Sequence, residues 1–327
     1  MKRRTLIKGA LAATAAGVLS PAVVSAQGAW PNRPVQVIVP WGAGGGTDYH
    51  ARTMAALLEQ ELRSPFTVVQ RTGGSGVIGH SAIAEAAPDG YTIGAVTVEI
   101  GMMHWQGLTK YTVADYAPIG VLNIIPAAVN VAASSRWQTL GQLLDDVRAN
   151  PGRHKSSGTG QGGIWHLAIA GLLQSQGINP SASPWIPSDG SAAGLQDLIA
   201  GGVDIEPCPA AEAATVIRAG RVRCLATMTD RRVPAFPDVP TLKEAINSDW
   251  TCESFVTLMG PKGMPADVVA RLDAAITKIM AGPEWKAAME ARGFAINHKP
   301  AAETGAFVAR ADKALGDVMK ALGLARA

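Results

Sequence analysis

Three glycine-rich loops, each opening a segment with helical spacing, constrain this chain more than any other feature of its sequence. Pro40-Trp41-Gly42-Ala43-Gly44-Gly45-Gly46-Thr47-Asp48 follows the β-branched run Val35-Gln36-Val37-Ile38-Val39. Arg71-Thr72-Gly73-Gly74-Ser75-Gly76 follows an apolar run at 66–70, and Gly158-Thr159-Gly160-Gln161-Gly162-Gly163 precedes the segment carrying His166. The runs predict buried strands, and apolar residues at helical spacing over 48–62 and 77–87 predict helices, the second stopped by the turn Pro88-Asp89-Gly90. Strands alternating with helices imply an α/β chain with an open, largely parallel sheet. Glycines at such junctions let backbone amides approach a ligand while a helix start adds partial positive charge, so each loop suits an anion. The competing reading is a tight turn with Thr47 or Asp48 as helix cap. Neither nucleotide pattern is met: no Gly-Lys-Ser/Thr follows, and Thr47 stands where a dinucleotide fingerprint needs its third glycine.

The apolar stretch 117–131, punctuated by Pro118 and Pro126, reads as a strand leaving a first lobe for a second. Helices at 140–149, 164–174, 191–200 and 210–219, with strands ending at 158, at 203–206 and at 222–228, would build that second α/β lobe. The proline-rich segment 233–240 is irregular, and a strand at 255–260 reads as the return crossing. Helices at 266–281, 283–292 and 303–322 complete the first lobe, the last carrying Phe307, Val308, Ala311, Leu315 and Val318 on one stripe. The expected division is residues 27–127 plus 253–327 against residues 128–252, since about 300 residues exceed one comfortable core.

Residues 1–26 read as a secretory signal peptide cleaved after Ala26: a basic start, an apolar stretch containing Pro21, and the small residues Val24-Ser25-Ala26. Its apolar run is too short to span a bilayer. Arg3-Arg4 also fits a twin-arginine signal, with ordinary Sec export as the alternative. The leader holds Lys2, Arg3, Arg4, Lys8 and no acid, so its removal turns 29 basic against 26 acidic residues into 25 against 26. That balance argues against nucleic acid and leaves no polybasic patch for a membrane surface. Cys208, Cys224 and Cys252 admit one disulfide with a free thiol, or three buried thiols, and show no metal-ligand spacing.

Catalysis finds little support. His50, His80, His104 and His166 are scattered, and neither a Gly-x-Ser-x-Gly elbow nor a His-Glu-x-x-His helix is present. The chain is therefore read as binding without catalytic residues, metal or cofactor. The expected ligand-binding residues are Trp41, Gly44, Gly45, Gly46, Thr47 and Asp48 in the first loop, Ser75 in the second, and Thr159, Gly160, Gln161 and Gly162 in the third. Glu99, Asp189 and Glu206, at the ends of predicted elements, would receive an ammonium or hydroxyl group. Their plainer reading is a helix cap for Asp189 and solvated ends for the others. Trp105 and Trp165 are further pocket walls, although tryptophan buries well anywhere.

The combination of Trp30-Pro31-Asn32-Arg33-Pro34, Gly44-Gly45-Gly46-Thr47-Asp48 with Ala51-Arg52, Gly73-Gly74-Ser75-Gly76 with Ile78-Gly79, Ala87-Pro88-Asp89-Gly90-Tyr91-Thr92 and Phe236-Pro237-Asp238-Val239-Pro240-Thr241 resembles the Bug-type receptors of tripartite tricarboxylate transporters. Further matches at 158–163 with His166-Leu167, at 195–204 and at Ala219-Gly220-Arg221 extend the resemblance over essentially the whole exported chain. It implies a two-lobed periplasmic-binding-protein fold of type II. It also implies a periplasmic monomer holding a small carboxylate between its lobes through loop amides and water, and a partner of large and small integral-membrane subunits. Three departures bear on the ligand: Ala43 replaces a usual proline, Pro187-Ser188-Asp189-Gly190 replaces an aromatic-Lys-Gly pattern, and Glu99 with Met102-Met103-His104-Trp105 replaces a more polar stretch. Asp189 and Glu99 without a lysine would disfavour a di- or tricarboxylate and favour a monocarboxylate or zwitterion. The rival classes are a periplasmic sensor feeding a membrane kinase and a hydrolase or isomerase using the same cleft.

Overall fold

The structure is a computed structural model and describes residues 30–326; the expected leader lies outside them. Strand β1 (Val35–Val39) alternates, with Val35, Val37 and Val39 on one face and Ile38 on the other, both faces buried. It pairs in parallel with β2 (Phe66–Gln70) and β3 (Thr92–Thr97). Helix α1 (Gly46–Leu62) covers one face with Ala51, Met54, Ala55 and Leu58, and α2 (Val77–Ala84) covers the other with Ile83.

The next strands correct the largely parallel expectation. β4 (Tyr116–Pro126) leads at once into β5 (Ala128–Ala132), and much later β9 (Glu253–Pro261) returns to lie antiparallel between β3 and β4. With the two-residue β10 (Lys299–Pro300) antiparallel to β4, the sheet runs β10-β4-β9-β3-β1-β2 and is mixed. An apolar run buried on both faces reads the same in either direction, so sequence could not fix its sense. Helices α8 (Ala266–Ala281) and α9 (Pro283–Arg292) pack Leu272, Ile276, Trp285 and Met289 beside α1; α10 (Ala301–Ala321) packs Val308 and Met319 on the opposite side.

The second half is a thinner α/β layer. β5 is antiparallel to β8 (Val222–Thr227), and β6 (Ser156–Gly158) is parallel to β7 (Trp185–Pro187). The strand expected at 203–206 is reduced to single bridges, Asn130 to Glu206 and Ser156 to Ile205, which join the two pairs. Pro207 and Pro209, which lack an amide donor, stop it there. The helix expected over 210–219 is shorter: a turn in which the Glu212 and Ala213 amides donate to Pro209 O leads into α6, which covers only Ala214–Arg218. Helices α3 (Leu140–Ala149), α4 (Ile164–Ser175) and α5 (Ser191–Ala200) flank this layer, with a short α7 (Leu242–Ile246) closed by a Thr241–Glu244 capping box. The chain passes between the halves at 126–128 and 252–253, where Ala127 N donates to Cys252 O at 2.8 Å. Cys208, Cys224 and Cys252 are all free thiols, the last two pushed up to about 12 by burial.

Glu206 does not face a cleft, contrary to its expected role. It is fully buried inside the second half, and neither carboxyl oxygen has a partner among the described residues. Gly194 of α5 makes room: a Cβ there would lie 2.4 Å from Glu206 Oε2. Burial, then the charges of Glu212 and Asp197, push this carboxyl well above its usual range. A raised folded value means that Glu206 contributes stability fully below the unfolded value near 4.5 and loses it as pH rises towards the folded one.

Glu206→Gln, which has no ionised form for burial to penalise, should therefore gain stability relative to the parent as pH rises from 4 to 8. Urea denaturation at the two pH values measures the difference, and a pH-independent difference refutes the neutral buried carboxyl. A second expectation concerns α2: a Cβ on Gly79 would meet Arg71 O and Pro40 Cα, each at 2.6 Å. Gly79→Ala should thus lower stability by about 1–3 kcal/mol in the same assay.

Candidate functional site

Helices α1, α4 and α5 begin after Gly45, Gly163 and Gly190, none of which supplies a side-chain cap. A helix start leaves up to four amides without intrahelical partners. All three starts meet at one enclosed space of about 30 Å³ between the two halves. Trp41, Gly45, Gly46, Thr47, Asp48, Thr97 and Glu99 line it from one side; Thr159, Trp165, Gly190, Ser191 and Glu212 line it from the other. The halves touch: Gly42 N donates to Asp189 O at 2.9 Å, and Gln106 Nε2 to Gly162 O at 3.2 Å.

Glu99 is 3 % exposed and accepts from Thr97 Oγ1 at 2.6 Å. Its Oε1 lies against the start of α4 across the cleft, 3.7 Å from where a Cβ on Gly163 would sit. Thr97 Oγ1 in turn receives Trp41 Nε1 at 3.1 Å, and the Thr97 amide donates to His80 Nε2 at 3.1 Å. His80 Nδ1 therefore carries the proton and donates to Gly76 O at 2.8 Å. Burial lowers this imidazole to about 4, so it is neutral. Glu212 mirrors Glu99 from the other half: its Oε1 sits against the start of α1, 2.3 Å from where a Cβ on Gly46 would lie, and Ser191 of α5 lines the space with it. Burial raises both carboxyls.

The expected site residues separate. Trp41, Gly45, Gly46, Thr47, Asp48, Glu99 and Thr159 line the enclosed space. The Asp48 carboxylate, however, is spent on its own loop, accepting from Gly44 N, Arg52 Nε and Gln70 Nε2 at 2.9, 2.9 and 2.6 Å. Gly44 is exposed with φ +86°, and its amide, taken by Asp48, is not available to a ligand. Gly162 likewise gives its amide to His166 Nδ1 at 3.0 Å. Ser75, Gly160 and Asp189 line a mouth of about 230 Å³ beside the inner space, where Asp189 meets the first loop through its backbone oxygen. Gln161 sits in a separate groove with His166 and Trp185. The structure adds Thr97, Ser191 and Glu212, which sequence reading missed. Ser191 follows a glycine at a helix start and was legible as such; Glu212, inside an apparent helix, looked like any surface carboxylate.

Among the described residues no His, Cys, Asp and Glu group could hold a metal ion, and no helix is long and apolar enough to cross a membrane. Comparison with known proteins gives the arrangement its context. Protein BugT of Bordetella pertussis is 31% identical over 297 residues, 89% of this chain and 87% of BugT. A TctC solute binding protein from Polaromonas, solved without ligand, is 31% identical, with 89% of this chain and 99% of that one covered and a TM-score of 0.66. Rpa4515 of R. palustris, solved with adipate, is 25% identical over 90% and 99% of the two chains, with a TM-score of 0.85. Residues 50–324 match the family described as Tripartite tricarboxylate transporter family receptor. Three helix starts converging between two α/β halves, together with this match over most of the chain, place the protein among the Bug-type solute-binding receptors of the tripartite tricarboxylate transporter family.

Proposed function

We propose that the protein captures a small organic carboxylate between residues 27–127 plus 253–327 on one side and 128–252 on the other, and presents it to integral-membrane transporter subunits. The observation that carries this reading is the convergence of three uncapped helix starts, α1, α4 and α5, on one enclosed interlobe space. Amides of that kind favour an anion, and exclusion of water strengthens each bond. The relative solved with adipate supports a carboxylate as the guest. This chain also superposes better on that structure than on the unliganded one, despite lower identity to it. Such a ranking fits lobes in a closed arrangement, whose space of about 30 Å³ must widen to seat an organic acid.

The ligand carboxylate meets the amides of Gly46 and Thr47 and the hydroxyl of Ser191. Opening bends the chain at 126–128 and 252–253. The protein acts in the periplasm as a monomer, its leader removed after Ala26, and returns its ligand unchanged. Binding without turnover fits the site: the histidine joined to it, His80, has both ring nitrogens engaged and is neutral.

A thermal-shift screen of small organic acids tests the reading, since a ligand at 100 times its Kd adds about 2.7 kcal/mol. Absence of any shift across mono-, di- and amino-acids would refute it. Gly160→Val tests closure: a Cβ there would lie 2.1 Å from Ser75 Oγ of the opposite lobe. The variant should keep its unfolding midpoint yet bind at least about ten-fold more weakly by calorimetry, a loss of about 1.4 kcal/mol. An unchanged Kd would show that these two loops need not approach.

A further inference from the structure

The receptor reading leaves two carboxyl groups to be explained. Glu99 and Glu212 line the same enclosed space from opposite lobes, and each reaches across the cleft to the other lobe's helix start. No lysine, arginine or histidine lines that space. A ligand carboxylate arriving at α1 must displace Glu212, whose Oε1 sits against Gly46. Glu212 and Glu99 then face the ligand with no basic side chain to offset them, and like charges in a dry site repel strongly. A second carboxylate on the ligand would aggravate this.

A separate observation points to what relieves it. Thr159 lines the same space at 5 % exposure, and its Oγ1 has no hydrogen-bond partner among the described residues. A Cβ placed on Gly163 would lie 3.0 Å from Thr159 Oγ1 and 3.7 Å from Glu99 Oε1, so the two oxygens are neighbours beside the start of α4. A protonated amine offers three donors and accepts nothing. Two carboxyls and a free hydroxyl oxygen supply three acceptors.

We propose that the ligand is an amine-bearing carboxylate, its ammonium group received by Glu99, Glu212 and Thr159 while its carboxylate occupies the start of α1. The assignment rests on the receptor reading and narrows it. Glu99 is the fixed acceptor, held by Thr97, and Glu212 leaves Gly46 for the ligand's ammonium as the carboxylate enters.

Isothermal titration of the exported chain with four- to six-carbon acids tests this, each acid taken in three forms: with an amino group, without one, and with a second carboxylate in its place. The amino forms should bind at least about ten-fold more tightly than both others. Glu99→Gln and Glu212→Ala should each erase most of that preference, read as the ratio of the Kd values of the amino and amine-free forms within each variant. Tighter or equal binding of the amine-free or dicarboxylate forms by the parent protein overturns the ammonium seat while the receptor reading stands. Failure of every form to bind overturns both, and a preference that survives in both variants overturns the assignment of these two residues.

Discussion

The organising constraint of this structure is the unmet hydrogen-bonding demand of three helix starts capped by glycine. Gly45, Gly163 and Gly190 let the backbone turn tightly into α1, α4 and α5 but contribute no side-chain acceptor. Buried amides require partners, and here a carboxyl from across the cleft stands beside two of the starts: Glu99 Oε1 near Gly163, and Glu212 Oε1 near Gly46. On the proposed receptor reading, closure of the lobes would bring each of these starts its acceptor.

The same glycines make the approach possible. A Cβ on Gly46 would lie 2.3 Å from Glu212 Oε1, and one on Gly42 would lie 3.2 Å from Asp189 O. Polar contacts bridge the halves at Gly42 to Asp189, Gln106 to Gly162 and Arg218 Nη1 to Ala291 O at 3.1 Å. Apolar packing bridges them too: Met102 and Ile100 share a core with Ile164 and Trp165, and Ala210 and Ala214 share one with Met54 and Trp285. The paired strands β4 and β9 carry both crossings side by side, which lets the connection bend without unravelling the sheet they belong to.

The fold was largely legible because most elements carry strong periodicity. Val35–Val39, Phe66–Gln70, Leu140–Ala149, Ser191–Ala200, Ala266–Ala281 and Pro283–Arg292 coincide with their predicted spans. Short elements escaped: β7 has three residues ending in proline, and α7 has five, although Thr241 and Glu244 spelled a capping box in the sequence. The site was legible as loops but not as atoms. That Gly44 and Gly162 spend their amides on Asp48 and His166 depends on where those side chains turn, which no spacing reveals. Glu206 and Glu212 lie six positions apart in one stretch, and the turns around Pro207 and Pro209 send the first inward and the second to the cleft.

The two cleft carboxyls differ in how firmly they are held, and this orders events during binding. Glu99 ends a chain of bonds that runs from Gly76 O through His80 and Thr97, with Trp41 bracing Thr97 from the side, all within one lobe. Opening the lobes leaves that chain intact. Glu212 stands between Pro209 and the short α6, on the opposite lobe from the Gly46 that its Oε1 touches. On the proposed reading, opening would withdraw Glu212 and bare the start of α1, while Glu99 would remain in place beside it. A guest entering the open cleft finds a positive helix start and a negative carboxyl already oriented, and the returning lobe brings the second carboxyl to whatever charge the guest presents.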